Sequence, residues 1–267
     1  MRDSLRLYFR YLGISIRAQM QYRASFIIMA LGQFLVTGFE FIGIAVLFTR
    51  FGTIKGWTLP EIALLYGMIS MAFATADAFS TGFDRFSLMV QRGDFDRLLL
   101  RPRSTTLQLA GQQLTLRRVG RFTQGLLVLL WAIATLGLAW SVAKVALTVA
   151  AILGGACLFF GILVLQATAA FWTVESLEIF NTVTYGGVET AQYPLSIYRP
   201  WFRKFFTMVI PLACINYFPG LAILGRPEAA GLPAFLPWLS PLVGLGFLLL
   251  AFQVWKVGVR HYCSTGS

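Results

Sequence analysis

Long uncharged stretches constrain this chain more than any other feature. Ala24 to Thr49 holds only Glu40, and Ile62 to Phe83 holds only Asp77. Phe122 to Ala143, Val145 to Val174, Phe205 to Gly225 and Ala229 to Trp255 hold no charge at all. A helix needs about 20 mostly apolar residues to cross a hydrocarbon core. Each run meets that length, so an all-α polytopic membrane protein with six transmembrane helices is expected. Only 12% of the 267 residues are charged and 57% are apolar, too few polar groups to clothe a soluble domain.

The charge left over lies between the runs. The net charge is +11, which in a soluble chain would point to nucleic acid. Here the basic residues flank apolar stretches instead, the positive-inside arrangement, and no nucleic-acid partner is expected. With the N-terminus inside, the cytoplasmic segments collect 18 Lys and Arg, from Arg2 through Arg260. Arg50, Lys55, Lys144 and Arg226 are the four left outside. That bias places both termini in the cytoplasm of a multi-pass protein of the plasma membrane, in bacteria the inner membrane.

One transmembrane domain over residues 1–267 accounts for the chain, with no internal repeat. Residues 1–23 carry Arg6, Arg10 and Arg17 at helical spacing with Leu5, Tyr8, Phe9, Leu12 and Ile16. Such a basic amphipathic helix suits the surface of the inner leaflet; the plainer alternative is a solvated start to the first span. Residues 24–257 hold the six spans, and 84–118 form a long cytoplasmic loop. The connection Glu175–Lys204 is expected on the cytoplasmic side as a bent segment, with Gly186-Gly187 and Pro194 breaking any long helix. Pro227, Pro233, Pro237 and Pro241 kink the outer connection before the last span.

Enzyme constellations are absent. There is no GxxxxGK[ST] phosphate loop, HExxH or GxSxG, and His261 is the single histidine. Cys157, Cys214 and Cys263 have neither metal-ligand spacing nor the look of a disulfide framework. The chain is expected not to be an enzyme and to carry no cofactor.

The most ordered polar segment is Gly93-Asp94-Phe95-Asp96-Arg97-Leu98-Leu99-Leu100-Arg101-Pro102. Gly93 and Asp94 suit a turn and helix cap, Asp96 to Leu100 a short helix, and Pro102 its stop. Phe95 and the charges are expected on its cytoplasmic surface. A charged turn that only serves topology would not need this order.

That run resembles the cytoplasmic loop of type-two ATP-binding-cassette permeases, the ABC exporter membrane family. Gln192-Tyr193-Pro194-Leu195-Ser196-Ile197-Tyr198, Ile210-Pro211-Leu212-Ala213 and Asn216-Tyr217-Phe218-Pro219 are similar to one six-span branch of those permeases. The resemblance covers the whole chain in length, layout and both motifs. It implies the transmembrane permease subunit of an exporter, assembled from two permease chains and two copies of an ATPase that binds the ATP. In that assembly Gly93, Asp94, Phe95, Asp96, Arg97, Leu98, Leu99, Arg101 and Pro102 would form the coupling helix that docks on the ATPase. Residues 5–23 would be the interfacial elbow helix. The second permease would be a different but related chain, and lipid the surrounding partner.

Two acids inside spans need a reason, because a mid-bilayer charge costs roughly 2.5–3.5 kcal/mol. Glu40 and Asp77, together with Asn216, are candidates for the substrate path or for a helix–helix interface. The alternative for the acids is protonation or hydrogen bonding within the bundle. Two other functions stay open: a stand-alone secondary transporter or channel, and a membrane scaffold without transport. The first would want inverted repeats and more intramembrane ionisable groups.

Overall fold

In a computed structural model the chain is all helix, with no strand among the described residues. These are residues 2–173, 177–226, 233 and 235–263; for 2–5, 7, 177–179 and 181 only the backbone is described. The helices are α1 (Arg2–Met20), α2 (Arg23–Phe51), α3 (Leu59–Asp84), α4 (Phe86–Gln91), α5 (Asp94–Leu99) and α6 (Thr105–Gln112). Then follow α7 (Val119–Leu136), α8 (Val142–Ala169), α9 (Leu177–Ala191), α10 (Pro200–Met208), α11 (Phe218–Leu224), α12 (Leu236–Leu239) and α13 (Leu242–Arg260). A 3₁₀ turn, Leu116–Arg118, leads into α7, and a π-helical turn, Ala213–Tyr217, leads into α11.

Five of these are long and apolar enough to cross a membrane: α2, α3 with α4, α7 with its 3₁₀ lead-in, α8 and α13. The central helix is α3, whose residues Ile62 to Ala74 are all buried. It packs between α7 and α8, and α13 packs on the other side of α8. Small residues set the closest crossings. A Cβ on Gly67 would meet the Gly125 carbonyl and Leu129, joining α3 to α7. A Cβ on Gly244 would lie 2.0 Å from the Gly154 carbonyl oxygen, joining α13 to α8. Lipid supplies no hydrophobic drive between helices, so backbone proximity and dispersion must hold them.

The path after α8 corrects the sequence reading. Phe171, just beyond α8, lies with Phe86 and Phe95 at the α4–α5 end of the bundle. At the far end, Lys55 in the α2–α3 connection donates to the carbonyls of Ser196 and Ile197. The chain therefore crosses the bundle in α9, straight through Gly186 and Gly187, which do not interrupt the helix. Neither glycine takes a positive φ, and Gly187 packs against Leu212 and Phe206.

Residues 205–225, expected as the fifth span, are instead a re-entrant pair. The helix of Pro200–Met208 and that of Ala213–Leu224 are bent by 84° at Val209–Leu212, where Pro211 withholds an amide. The pair leaves from Ile197 beside Lys55 and returns to Arg226, which bonds Gly56 of the α2–α3 connection and Glu61 in the first turn of α3. It starts and ends at one face. Arg199, Arg203 and Lys204, assigned inside from the sequence, thus belong to the Lys55 end. The basic bias falls from 18 against 4 to fifteen against seven, with its sign intact.

Candidate functional site

Asp77 sits on α3 among Ala74, Ala76 and Ala78. A guanidinium nitrogen of Arg118 lies 2.5 Å from Asp77 Oδ2, and both side chains are at least nine-tenths buried. The contact is poorly directed, for Oδ2 accepts no hydrogen bond. Arg118 also donates to Gln33 Oε1 on α2 at 3.3 Å. One turn on, the Arg121 guanidinium lies 4.9 Å from the centre of the Phe73 ring. Both arginines were counted from the sequence among the cytoplasmic basic residues, Arg118 at the end of the loop 84–118 and Arg121 just before the uncharged run from Phe122. They belong instead to the buried first turns of the crossing. Their spacing of three residues on one helical face was the signal available to find them.

The ion pair borders a polar cavity of about 540 Å³, lined by Asp77, Asp84, Arg85, Gln113, Arg117 and Tyr185 among others. Helices α3 and α9 supply walls, and the segment after α6 closes one side. That segment is extended, so its backbone groups need partners from outside. The Thr115 amide donates to the Ala78 carbonyl at 3.0 Å, next to Asp77. Ser15 Oγ accepts from the Leu114 amide at 3.0 Å, and Gln19 Oε1 from the Leu116 amide at 3.0 Å. Thus α1 reads the backbone of the strip that delivers Arg118.

The short helices form the same end of the molecule. Gly93 takes φ +71° between α4 and α5, a conformation that strains any residue with a Cβ. The expected Asp94 cap is not made: Gly93 is the capping residue with no side-chain bond, and Asp94 begins the helix. Asp94 instead faces Arg97 at 3.6 Å, an exposed pair of little energetic weight.

The larger correction concerns Phe95, which is fully buried rather than presented to the surface. Its ring meets Phe86 at 4.9 Å, Tyr262 at 5.0 Å and Phe171 at 5.7 Å. Amphipathic spacing in a six-residue helix shows which side chains share a face but not which face the protein covers. Leu98 is buried with it, and Gln108 Nε2 of α6 donates to the Leu98 and Arg103 carbonyls. The exposed rim consists of Arg97, Leu99, Leu100 and Arg101, with Leu100 85% exposed. Asp96 is half-buried and Pro102 exposed beyond the helix end. Leu100 was not singled out from the sequence. Between this rim and α1 lies a cavity of about 610 Å³, bordered by Tyr11, Ser15, Asp94, Arg97, Arg101 and Gly111 among others.

The structure does not bring Glu40 or Asn216 into this site. Glu40 is exposed on α2, a helix that buries only Thr37, Ile44 and Phe48. Asn216, in the π-helical turn, is buried and donates to the Leu65 and Ala191 carbonyls at 3.2 and 2.6 Å. It ties the re-entrant pair to α3 and α9, near the opposite end from Asp84.

Residues 34–266 match the family described as "ABC-2 family transporter protein". No curated protein and no solved structure matches the chain.

Proposed function

Because this chain belongs to the ABC-2 family of transporter membrane proteins, we propose that it is the permease subunit of an exporter whose energy comes from a separate ATPase. In this reading the cavity beside Asp77 and Arg118 is the cytoplasmic mouth of the substrate path. The rim of α5 (Arg97, Leu99, Leu100, Arg101) bears on the ATPase, and Gly93, Asp94, Phe95, Asp96, Leu98 and Pro102 hold that rim in place.

One observation carries the reading. The segment that leaves the α5–α6 hairpin bonds to α3 through Thr115 and Ala78, then supplies Arg118 to Asp77. A push on α5 therefore has a short, continuous route to the charged wall of the cavity. Two further contacts support it. Phe95 links α5 to Phe171 at the end of α8, and Tyr262 to the end of α13, so the hairpin is keyed to two crossings.

The remaining assignments follow from charge and placement. The α5 end carries the basic excess, so it faces the cytoplasm with both termini, and α1 lies along the inner leaflet. Membership of the family brings an ATPase partner; two ATPase copies and a second, related permease chain complete the assembly. Glu40, an acid exposed on an apolar helix, faces that second chain rather than lipid, since a lipid-facing charge is costly. The ATP stays with the partner, and the inner membrane of a bacterium is the location.

The test uses the chain co-expressed with its ATPase. Leu100→Asp should abolish co-purification while the thermal unfolding of the isolated permease is unchanged. Asp77→Asn should keep co-purification and alter substrate-stimulated hydrolysis. A Leu100→Asp complex that assembles and couples like the parent would overturn the assignment of the rim.

A further inference from the structure

At the α5 end of α13 a third pocket, about 290 Å³, opens to the surface between α13 and the start of α6. Its floor is apolar, made by Phe252, Trp255 and Val259. Trp255 is buried and donates from Nε1 to Thr105 Oγ1 at 3.1 Å, which pins α6 to α13. Lys256 and Arg260 line the same pocket, both exposed, and no carboxylate lines it among the described residues. Among the described residues Lys256 Nζ donates to the Gln253 amide oxygen alone, at 3.3 Å. Arg260 has no acidic partner among the described residues.

Opposite the cations stand hydroxyls. Ser104 and Thr106 line the pocket and lie 2.6 Å from each other. Ser104 makes no capping bond to α6, so the first-turn amides of that helix keep their positive end open. The pocket thus pairs an apolar floor with two cations and a set of donors, at the point where an apolar crossing ends. Each part serves a different portion of one molecule: acyl chain against Phe252 and Val259, phosphodiester between Lys256, Arg260 and the hydroxyls.

We propose that this pocket binds an anionic phospholipid of the leaflet at the α5 end, by its phosphate headgroup. A basic pocket at the end of a crossing, apolar below and rich in donors above, is the arrangement that selects such headgroups. A zwitterionic lipid brings a choline or ethanolamine cation against Lys256 and Arg260, and a soluble phosphate leaves the apolar floor empty. Occupancy would brace α6 against α13 beside the hairpin. The inference rests on reading α13 as a membrane crossing, not on the ATPase assignment.

The experiment is native mass spectrometry of the detergent-purified chain titrated with phosphatidylglycerol or phosphatidylcholine. Phosphatidylglycerol should be retained at one site and phosphatidylcholine not. Each basic side chain near an anionic surface contributes about fivefold, so Lys256→Gln with Arg260→Gln should weaken retention roughly thirtyfold. Arg92→Gln with Arg97→Gln removes the same charge from the same end and should change it less than threefold. Equal loss in both double variants would mean a diffuse electrostatic effect and overturn the site. Glycerol phosphate competing as well as the lipid would overturn the role of the floor. Thiol labelling of a cysteine at Arg260 in the same preparation, reconstituted in vesicles, reports separately whether α13 ends at the membrane surface.

Discussion

Lys55 Nζ donates to the Ile197 carbonyl across 3.1 Å, joining the α2–α3 connection to the segment after α9. Residues 142 positions apart in the sequence thereby share one face of the bundle. The re-entrant pair α10–α11 follows from this contact, because Arg226 returns to the same connection.

The first prediction is one of sidedness. Single cysteines at Lys55 and Arg203 should react with an impermeant thiol reagent from the same side of the membrane, and one at Arg97 only from the other. In intact cells the first two should label from outside. Labelling of Arg203 together with Arg97 would restore the continuous fifth span and remove the re-entrant pair.

Phe95 and Leu100 should separate stability from docking. Phe95 is buried among aromatic rings, and Phe→Ala at such a site costs about 3–5 kcal/mol. Phe95→Ala should therefore lower the thermal unfolding temperature of the isolated chain in detergent. Leu100 is 85% exposed, so Leu100→Ala should shift stability by less than about 0.5 kcal/mol. Equal stability of the two variants would contradict the burial of Phe95.

The Asp77–Arg118 pair should show strong coupling. Removing one member of a buried ion pair typically costs about 3–5 kcal/mol, because the other charge stays buried and unmatched. Arg118→Gln and Asp77→Asn should each destabilise the chain, and the double variant should recover more than half of the larger loss. Thermal unfolding of the four proteins closes the cycle. Simple addition of the two single losses would show that the charges do not depend on each other.

The crossing of α8 and α13 offers a test with its own control. An alanine Cβ at Gly244 would lie 2.0 Å from the Gly154 carbonyl oxygen, whereas one at Gly246 meets nothing within 4 Å. Overpacking of this kind costs about 1–3 kcal/mol. Gly244→Ala should lower the yield and unfolding temperature of the purified chain, and Gly246→Ala should leave both unchanged. Tolerance of Gly244→Ala would argue against so close an approach.

Five of the helices expected from uncharged runs are recovered as α2, α3, α7, α8 and α13, because a long apolar stretch has few ways to satisfy its backbone in lipid. The Gly93–Pro102 helix was also legible, since Gly93 and Pro102 act locally. Helix α9 was not. Its Glu178, Asn181, Glu189 and the glycine pair read as a polar connection, yet α3 and α8 flank it and Thr184 is wholly buried. The uncharged run at 205–225 looked like a crossing because length and composition do not register the 84° bend at Val209–Leu212.

The amino-acid sequence by itself determined that the chain is helical, apolar and marked by a basic end, since hydropathy and charge are sums over residues. Which acid meets an arginine, which face of α5 turns inward, and whether a run crosses or turns back were decided only by the tertiary structure. These are properties of pairs distant in the chain: Asp77 with Arg118, Phe95 with Tyr262, Lys55 with Ile197. No local pattern encodes a partner that packing has yet to bring near.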